Sequence, residues 1–333
     1  MARPPSLASA LTLSTIALTF RTIAKLTSKE FRVDGLPILL DALRIGHDEK
    51  GKGRMVEGGE SDESVKPRRG IVTVCNHNSV VDDPMMWSLM PLTTYFPFAT
   101  PSHTCRNTRW TLGASDIMFT NRFNNKFFDL GQVIETHRGG GIFQPAVDRA
   151  VKLLQDGEWI HIFPEGKVNQ QGTNADGGLL RFKWGVGRII MDSKVMPEII
   201  PMWISGFDQV MPEPRNRPRF IPRPGAKLSI TVGQPLTSAI EPLVSSWREM
   251  AEKESGTLGV GGDWEQGSQG TGLVGDAQRE VRGKGELIDG REQQVRMKIV
   301  DVLQQGVAKL GEEVERREGR YEKGLWTQSK KFT

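Results

Sequence analysis

Cysteine is nearly absent from this chain of 333 residues: Cys75 and Cys105 are the only two. Two thiols cannot build a disulfide framework, and no C-x-x-C pair points to a structural zinc. Acidic side chains are missing before Glu30, where Arg3, Arg21, Lys25 and Lys29 are the only charged groups. The formal net charge of +4 is therefore that of the first 29 residues, and residues 30–333 set 40 basic groups against 40 acidic ones. A neutral body without a long Lys/Arg run is a poor footprint for nucleic acid. No G-x-x-x-x-G-K-[ST] run occurs, which excludes a P-loop. A spanning helix needs ~20 consecutive apolar residues. The uncharged run Ser6–Phe20 has fifteen, six of them Ser or Thr, so no transmembrane span is assigned.

What is present falls into four parts. Residues 1–29 form a cationic leader, read as a mitochondrial-type presequence or a helix lying in a membrane interface. A secretory signal is disfavoured by the scarcity of cysteine. Residues 30–255 hold the main domain, interrupted at 47–70 by a polar, Gly-rich stretch that reads as a mobile insertion. Residues 256–290 contain eleven of the 37 glycines without strand or helix periodicity, and are expected to stay disordered because they bury too little to offset ordering entropy. From 291 to 333, Val295, Ile299, Val302, Leu303, Val307, Leu310 and Val314 recur at helical spacing, predicting an amphipathic C-terminal helix packed on the body, followed by a tail.

Within the main domain, β-branched apolar runs at Ile71–Cys75, Gln132–Thr136, Trp159–Phe163, Ile199–Ile204 and Leu228–Val232 predict strands. Helical patterns fall between them: one starting near Pro84, one over Ile142–Leu154 and one over Leu179–Met191. This alternation predicts an α/β fold with a mainly parallel central sheet flanked by helices, plus the N-terminal membrane-associated helix.

Directly after the first of these strands comes Asn76-His77-Asn78-Ser79-Val80-Val81-Asp82-Asp83-Pro84. Pro84 suits the first turn of a helix, and Asp82 or Asp83 suits its N-cap. His77 lies five residues before Asp82, close enough for the carboxylate to fold onto one imidazole nitrogen. An imidazole so held is a general base for an alcohol or a water. Arg138, beside Gly139, Gly140 and Gly141, can approach a phosphate; a solvated arginine in a turn is the plain alternative. Glu165, within Phe163-Pro164-Glu165-Gly166-Lys167, again follows a strand, where it can bind a hydroxyl or simply sit in a surface turn. Together these place His77, Arg138 and Glu165 beyond the carboxyl ends of three strands, where open α/β sheets bind ligands. Ser79 and Cys75 are near enough to His77 to be considered as nucleophiles, although a turn and a strand end account for them. His161 reads as a core residue, and His47, His103 and His137 carry no clear role.

The order His-x4-Asp, Gly to Arg, Phe-Pro-Glu-Gly, then a strand near Pro201 resembles the glycerophospholipid acyltransferase family. Asn76-His77-x-Ser79-x-x-Asp82-Asp83-Pro84-x-x-Trp87, Phe163 to Asn169 and Arg181-Phe182-Lys183-Trp184-Gly185-x-Gly187-Arg188 are similar to its mitochondrial transacylase branch. The resemblance covers about residues 15–250. It implies that His77 and Asp82 are catalytic, Asp82 setting the tautomer, and that Arg138, Glu165, Gly166, Lys167, Asn76 and Ser79 bind substrate, with glycine N–H groups meeting the oxyanion. It implies phospholipid and lysophospholipid substrates such as monolysocardiolipin. It also implies a cardiolipin-rich surface of the inner or outer mitochondrial membrane facing the intermembrane space, no metal and no cofactor. A homo-oligomer is left open. Acyl-CoA enzymes of the family continue Phe-Pro-Glu-Gly with Thr-Arg, where this chain has Lys167-Val168-Asn169, which favours a phospholipid donor. The competing readings are an acyl-CoA-dependent lysophospholipid acyltransferase, a His/Asp metal-dependent hydrolase and a non-catalytic lipid-binding protein.

Overall fold

A computed structural model describes residues 6–44, 69–88, 90, 108–170, 173, 174, 178–214, 218, 221–257 and 286–321. The expected mobile segments at 47–70 and 256–290, and His47 and Cys105 with them, lie outside the described residues except at the segments' margins.

Seven strands form one sheet: β1 (Ser28–Asp34), β2 (Ile71–Cys75), β3 (Trp110–Ala114), β4 (Val133–Thr136), β5 (Trp159–Ile162), β6 (Glu198–Ser205) and β7 (Ala226–Val232), in the order β1-β7-β6-β2-β5-β3-β4. β6, β2, β5, β3 and β4 run parallel, while β7 pairs antiparallel with β6 and parallel with β1. β2 lies near the centre and every one of its residues is buried. A strand covered on both faces needs such a continuous apolar run.

The helices among the described residues are α1 (Leu7–Thr27), α2 (Leu36–Arg44), α3 (Asp82–Trp87), α4 (Ser115–Met118), α5 (Arg122–Leu130), α6 (Pro145–Gln155), α7 (Gly185–Met191), α8 (Phe207–Val210), α9 (Thr237–Thr257) and α10 (Glu286–Arg317). Val72, Val74, Ile160, Ile199 and Trp203 face the layer of α6, α7, α9 and α10. Ile71, Trp159, Ile200, Met202 and Ile204 alternate with them and face α1, α2, α3 and α8. Period-two alternation along each strand thus builds two cores, one on either side of the sheet.

The five expected strands are present, and β1 and β3 join them. β1 (SKEFRVD) has too many charges for an apolar alternation; it is tolerated as an edge strand, paired to β7 through Phe31 opposite Leu228 and Val33 opposite Ile230. The helix expected over Leu179–Met191 begins only at Gly185. Upstream, the N–H groups of Leu180, Phe182 and Lys183 donate to Glu165, Gln304 and Pro164, so they cannot enter a helical ladder.

The leader is a docked helix. Ser6 caps α1 by accepting from Ser9 N at 3.1 Å, and the helix runs through Arg21 and Lys25 to give 21 residues, enough by length and composition to cross a membrane. Ser9 Oγ donates to Leu130 O at 2.6 Å beside β4, and the other end of α1 passes into β1 at the opposite sheet edge. At 1.5 Å per residue α1 is about 30 Å long, matching six interstrand steps of about 4.8 Å. Leu13, Ala17 and Ala24 face the core under it. At the other end of the chain α10 crosses β6: Gly311 rests on the Trp203 ring, and Trp203 Nε1 donates to Glu315 Oε1 at 2.8 Å.

Candidate active site

The site starts where β2 ends. The Asn76 amide continues the strand pairing by side chain, donating from Nδ2 to Ile204 O at 3.0 Å and accepting from Ile204 N at 2.8 Å. That doubled bond to β6 fixes the point at which the chain leaves the sheet. At the next residue, the His77 backbone N–H donates to Glu165 Oε1 at 2.8 Å, and its carbonyl accepts from Asn169 N at 2.7 Å. The imidazole stacks on Phe163, with centroids 4.4 Å apart and planes at 22°. Its Nδ1 lies 2.9 Å from Asp82 Oδ2, and 22% of the side chain is exposed.

Asp82 is wholly buried. Its Oδ2 receives the backbone N–H groups of Asn78 at 2.5 Å and Ser79 at 2.7 Å together with the His77 ring. An oxygen that already accepts two N–H groups has no proton to give, so Nδ1 of His77 is the donor and Nε2 the basic nitrogen. Burial pushes the Asp82 carboxyl up, against the pull of His77 and of the two N–H groups. Neither aspartate caps α3: the N-cap is Val81, without a side-chain bond, because Asp82 reaches backwards to the loop. Asp83 instead accepts from Arg109 and from Trp87 Nε1 at 3.0 Å, while Arg109 also donates to Gly131 O at 2.9 Å. Burial works against the charged form of Asp83, and the Arg109 guanidinium overcomes it and holds the carboxyl low.

Glu165 is buried beneath the loop. Besides His77 N it accepts from Asn169 Nδ2 at 2.6 Å and Leu180 N at 2.9 Å. Burial pushes its carboxyl up to about 7, against these donors. His77, Ser79, Asp82 and Glu165 therefore form one hydrogen-bonded network, and Asn76 anchors the start of its loop to Ile204. Gly166, at φ 71, and Lys167 lie exposed on its rim. The Gly166 N–H donates to Phe163 O at 3.1 Å, so it is not free for an oxyanion. Arg138 is outside the network: it follows β4, three strands or about 14 Å from β2. There it lies half-exposed, 3.4 Å from Asp116.

The other sequence candidates resolve simply. Cys75 is buried, and burial, aided by the charges of Asp82 and Glu165, pushes its thiol up, which removes it as a nucleophile. Ser79 Oγ is buried with no partner among the described residues. His161 is a core residue bonded through Nδ1 to Thr73 Oγ1 at 2.8 Å, and burial pulls it down to about 3. Two supports escaped the sequence reading. Gln170 donates to Asn78 O at 2.9 Å and Met211 O at 3.0 Å and accepts from Glu213 N at 2.6 Å, tying the histidine loop to the segment after α8. Phe163 backs the imidazole. Phe163 opens the motif run and Gln170 directly follows its last residue, and the adjacent amides Asn169-Gln170 were the available signal.

A parallel sheet with a His–Asp pair and a Phe-Pro-Glu-Gly turn at adjoining strand ends is the architecture of an acyltransferase domain, and the acyltransferase family model matches residues 59–205. The tafazzins are homologues of this chain. Taffazin of Dictyostelium discoideum is 39% identical over 178 residues, covering 52% of this chain and 57% of that protein. Tafazzin of Drosophila melanogaster is 41% identical over 170 residues, covering 50% and 40%. N-acylphosphatidylethanolamine synthase of Arabidopsis thaliana is 36% identical over 187 residues, covering 55% and 62%. The chain spans about half the length of the curated relatives it matches.

Proposed function

We propose that this chain is a CoA-independent phospholipid–lysophospholipid transacylase. It would move acyl chains from a phospholipid such as phosphatidylcholine to a lysophospholipid such as monolysocardiolipin, remodelling cardiolipin at mitochondrial membranes. The observation that carries the reading is His77 Nδ1 at 2.9 Å from a buried carboxylate, in a side chain 22% exposed whose other ring nitrogen has no hydrogen bond among the described residues. Nε2 takes the proton of the acceptor hydroxyl, whose oxygen attacks the donor's ester carbonyl. The tetrahedral intermediate expels the donor's glycerol oxygen, which recovers that proton from the imidazolium, so one ester bond forms as another breaks. Asp82 holds the tautomer and stabilises the transient imidazolium. Lys167 and Arg138 supply positive charge for the phosphates, whereas Asn76 and Glu165 act by holding the histidine loop.

The tafazzin relatives support a phospholipid donor, as does Lys167-Val168 in place of Thr-Arg. Incubating the full chain with labelled phosphatidylcholine and monolysocardiolipin, without CoA, tests the reading: acyl exchange is expected, and exchange only on adding an acyl-CoA thioester would overturn it. The Arabidopsis relative favours one further acceptor, the amine of phosphatidylethanolamine. On that reading the same incubation with phosphatidylethanolamine yields an amide product that survives mild alkali.

A further inference from the structure

His161 lies one ring behind the site and is wholly buried. It stands opposite Thr73 of β2 in the sheet, with its Nδ1 2.8 Å from Thr73 Oγ1. Thr73 Oγ1 also accepts from Trp159 Nε1 at 2.9 Å, and an indole nitrogen can only donate. The hydroxyl proton is therefore the one left for His161 Nδ1, which puts the ring's own proton on Nε2. Nε2 has no hydrogen-bond partner among the described residues. Leaving a buried polar atom unpaired costs about 1–3 kcal/mol, so packing alone is better served by leucine or phenylalanine. The contacts of the ring supply another reason for a histidine here. Two rings stand perpendicular to it, Trp87 at 80° and Phe163 at 87°, with centroids 4.8 and 4.5 Å away. Phe163 in turn lies flat against His77, at 4.4 Å and 22°.

We propose that His161 is a positioning residue for the transfer reaction, acting through Phe163 to set the plane of the His77 imidazole. The hydrogen bond from Nδ1 to Asp82 fixes one edge of that imidazole but leaves it free to tilt about the bond. The flat contact with Phe163 removes the tilt and so aims Nε2. Phe163 is only half-buried and follows the last residue of β5, so its own orientation needs a support. His161 supplies it, two residues back on the same face of the strand. The support is itself immobilised by Thr73 and by the Trp87 ring, which Asp83 holds through Nε1 at 3.0 Å. Burial pulls His161 down to about 3, with the charges of Arg109 and His77 acting in the same direction and that of Asp83 against them. The ring is therefore neutral at the pH where His77 is a base, and it adds no charge to repel the transient imidazolium. The proposal rests on the transacylase reading for its activity readout, while the ring geometry is measured without turnover.

The test pairs a spectrum with a mutant cycle on the full chain. The His77 ring protons lie over the Phe163 face, whose ring current shifts them, and with five histidines in the chain their NMR signals are assigned by loss in His77→Ala. His161→Asn offers an oxygen to Thr73 and removes the ring. It should move the His77 signals toward their positions in Phe163→Leu. In acyl exchange it should lower kcat about 10- to 100-fold with KM within about threefold, since a small misalignment of the base is felt in the transition state and not in substrate binding. The double variant His161→Asn/Phe163→Leu should lie within about threefold of Phe163→Leu alone, because two residues acting in series do not add. Unmoved His77 signals in folded His161→Asn overturn the proposal, and so do single losses that multiply in the double variant. Should His161→Asn fail to fold, Thr73→Val, which releases the ring by removing the partner of its Nδ1, is read in the same way. A wild type without CoA-independent exchange defeats the transacylase reading only, the spectra still deciding the role of His161.

Discussion

Glu165 takes its 2.8 Å hydrogen bond from the backbone N–H of His77, while the imidazole of the same residue turns to Asp82. The two carboxylates therefore divide the labour on one residue, Glu165 holding its main chain and Asp82 its ring.

Glu165→Gln tests the first half. Three N–H donors from His77, Asn169 and Leu180 converge on the carboxylate, and an amide can offer an oxygen to only part of that set. One donor then faces another, which should cost about 1–3 kcal/mol in denaturant unfolding. Acyl transfer should fall with it as the histidine loop loosens. Wild-type stability in this variant would contradict the assignment.

The same residue predicts a pH dependence. Its folded-state value, about 7, lies above the ordinary 4.5, so between these values the unfolded chain has released a proton that the folded chain keeps. The contribution is complete below 4.5 and is lost as pH rises through about 7. Melting curves across that window should show a downward component with rising pH in the wild type that is absent from Glu165→Gln.

His77→Ala should reduce transfer by at least about 10³-fold while the fold persists, since the side chain is partly exposed and its backbone bonds remain. Asp82→Ala is a poorer probe, because it strips the acceptor from Asn78 N and Ser79 N. Asp82→Asn keeps an oxygen for the loop and removes the charge that stabilises the imidazolium, and should lower kcat roughly 10²–10⁴-fold. Stopped acyl exchange with an unchanged melting temperature is the expected signature.

Arg138→Ala should leave stability unaltered, because its pair with Asp116 is solvent-exposed and such pairs contribute little. If its charge meets a substrate phosphate, KM should rise about tenfold with kcat nearly constant, one charge-assisted hydrogen bond being lost. Steady-state kinetics at varied lysophospholipid distinguishes this from a purely surface role, which would move neither constant.

Gly311→Ala probes the C-terminal helix. A β-carbon there would lie 2.4 Å from the Trp203 ring, which is pinned by Glu315. Overpacking at that contact should cost about 1–3 kcal/mol. Unfolding as one cooperative transition at lower temperature would show that α10, outside the family match, belongs to the same folding unit.

Much of the histidine loop was legible because its information is local. His77 and Asp82 are five residues apart, and a loop of that length between a buried strand and a Pro-containing helix leaves few places for the carboxylate. Glu165 could be located but not read: its burial beneath the loop depends on Asn169 folding back and on Leu180 arriving from fifteen residues away. Arg138 was legible in part: it stands past the carboxyl end of β4, as its place after a strand predicts, but only strand order sets that end three strands from β2, and strand order follows from pairing partners and not from succession along the chain.

By itself the sequence determined the α/β alternation, the ends of the central strands, the His–Asp pair and the cationic leader, since each is written in neighbouring residues through periodicity, charge and short-loop reach. Only the tertiary structure decided that the charged segment Ser28–Asp34 becomes an edge strand, that the leader crosses the sheet with one side buried, and that Glu165 grips a backbone N–H. Those outcomes turn on which distant surfaces exclude water together and which buried donors need an acceptor. Neither is a property of any local stretch of chain.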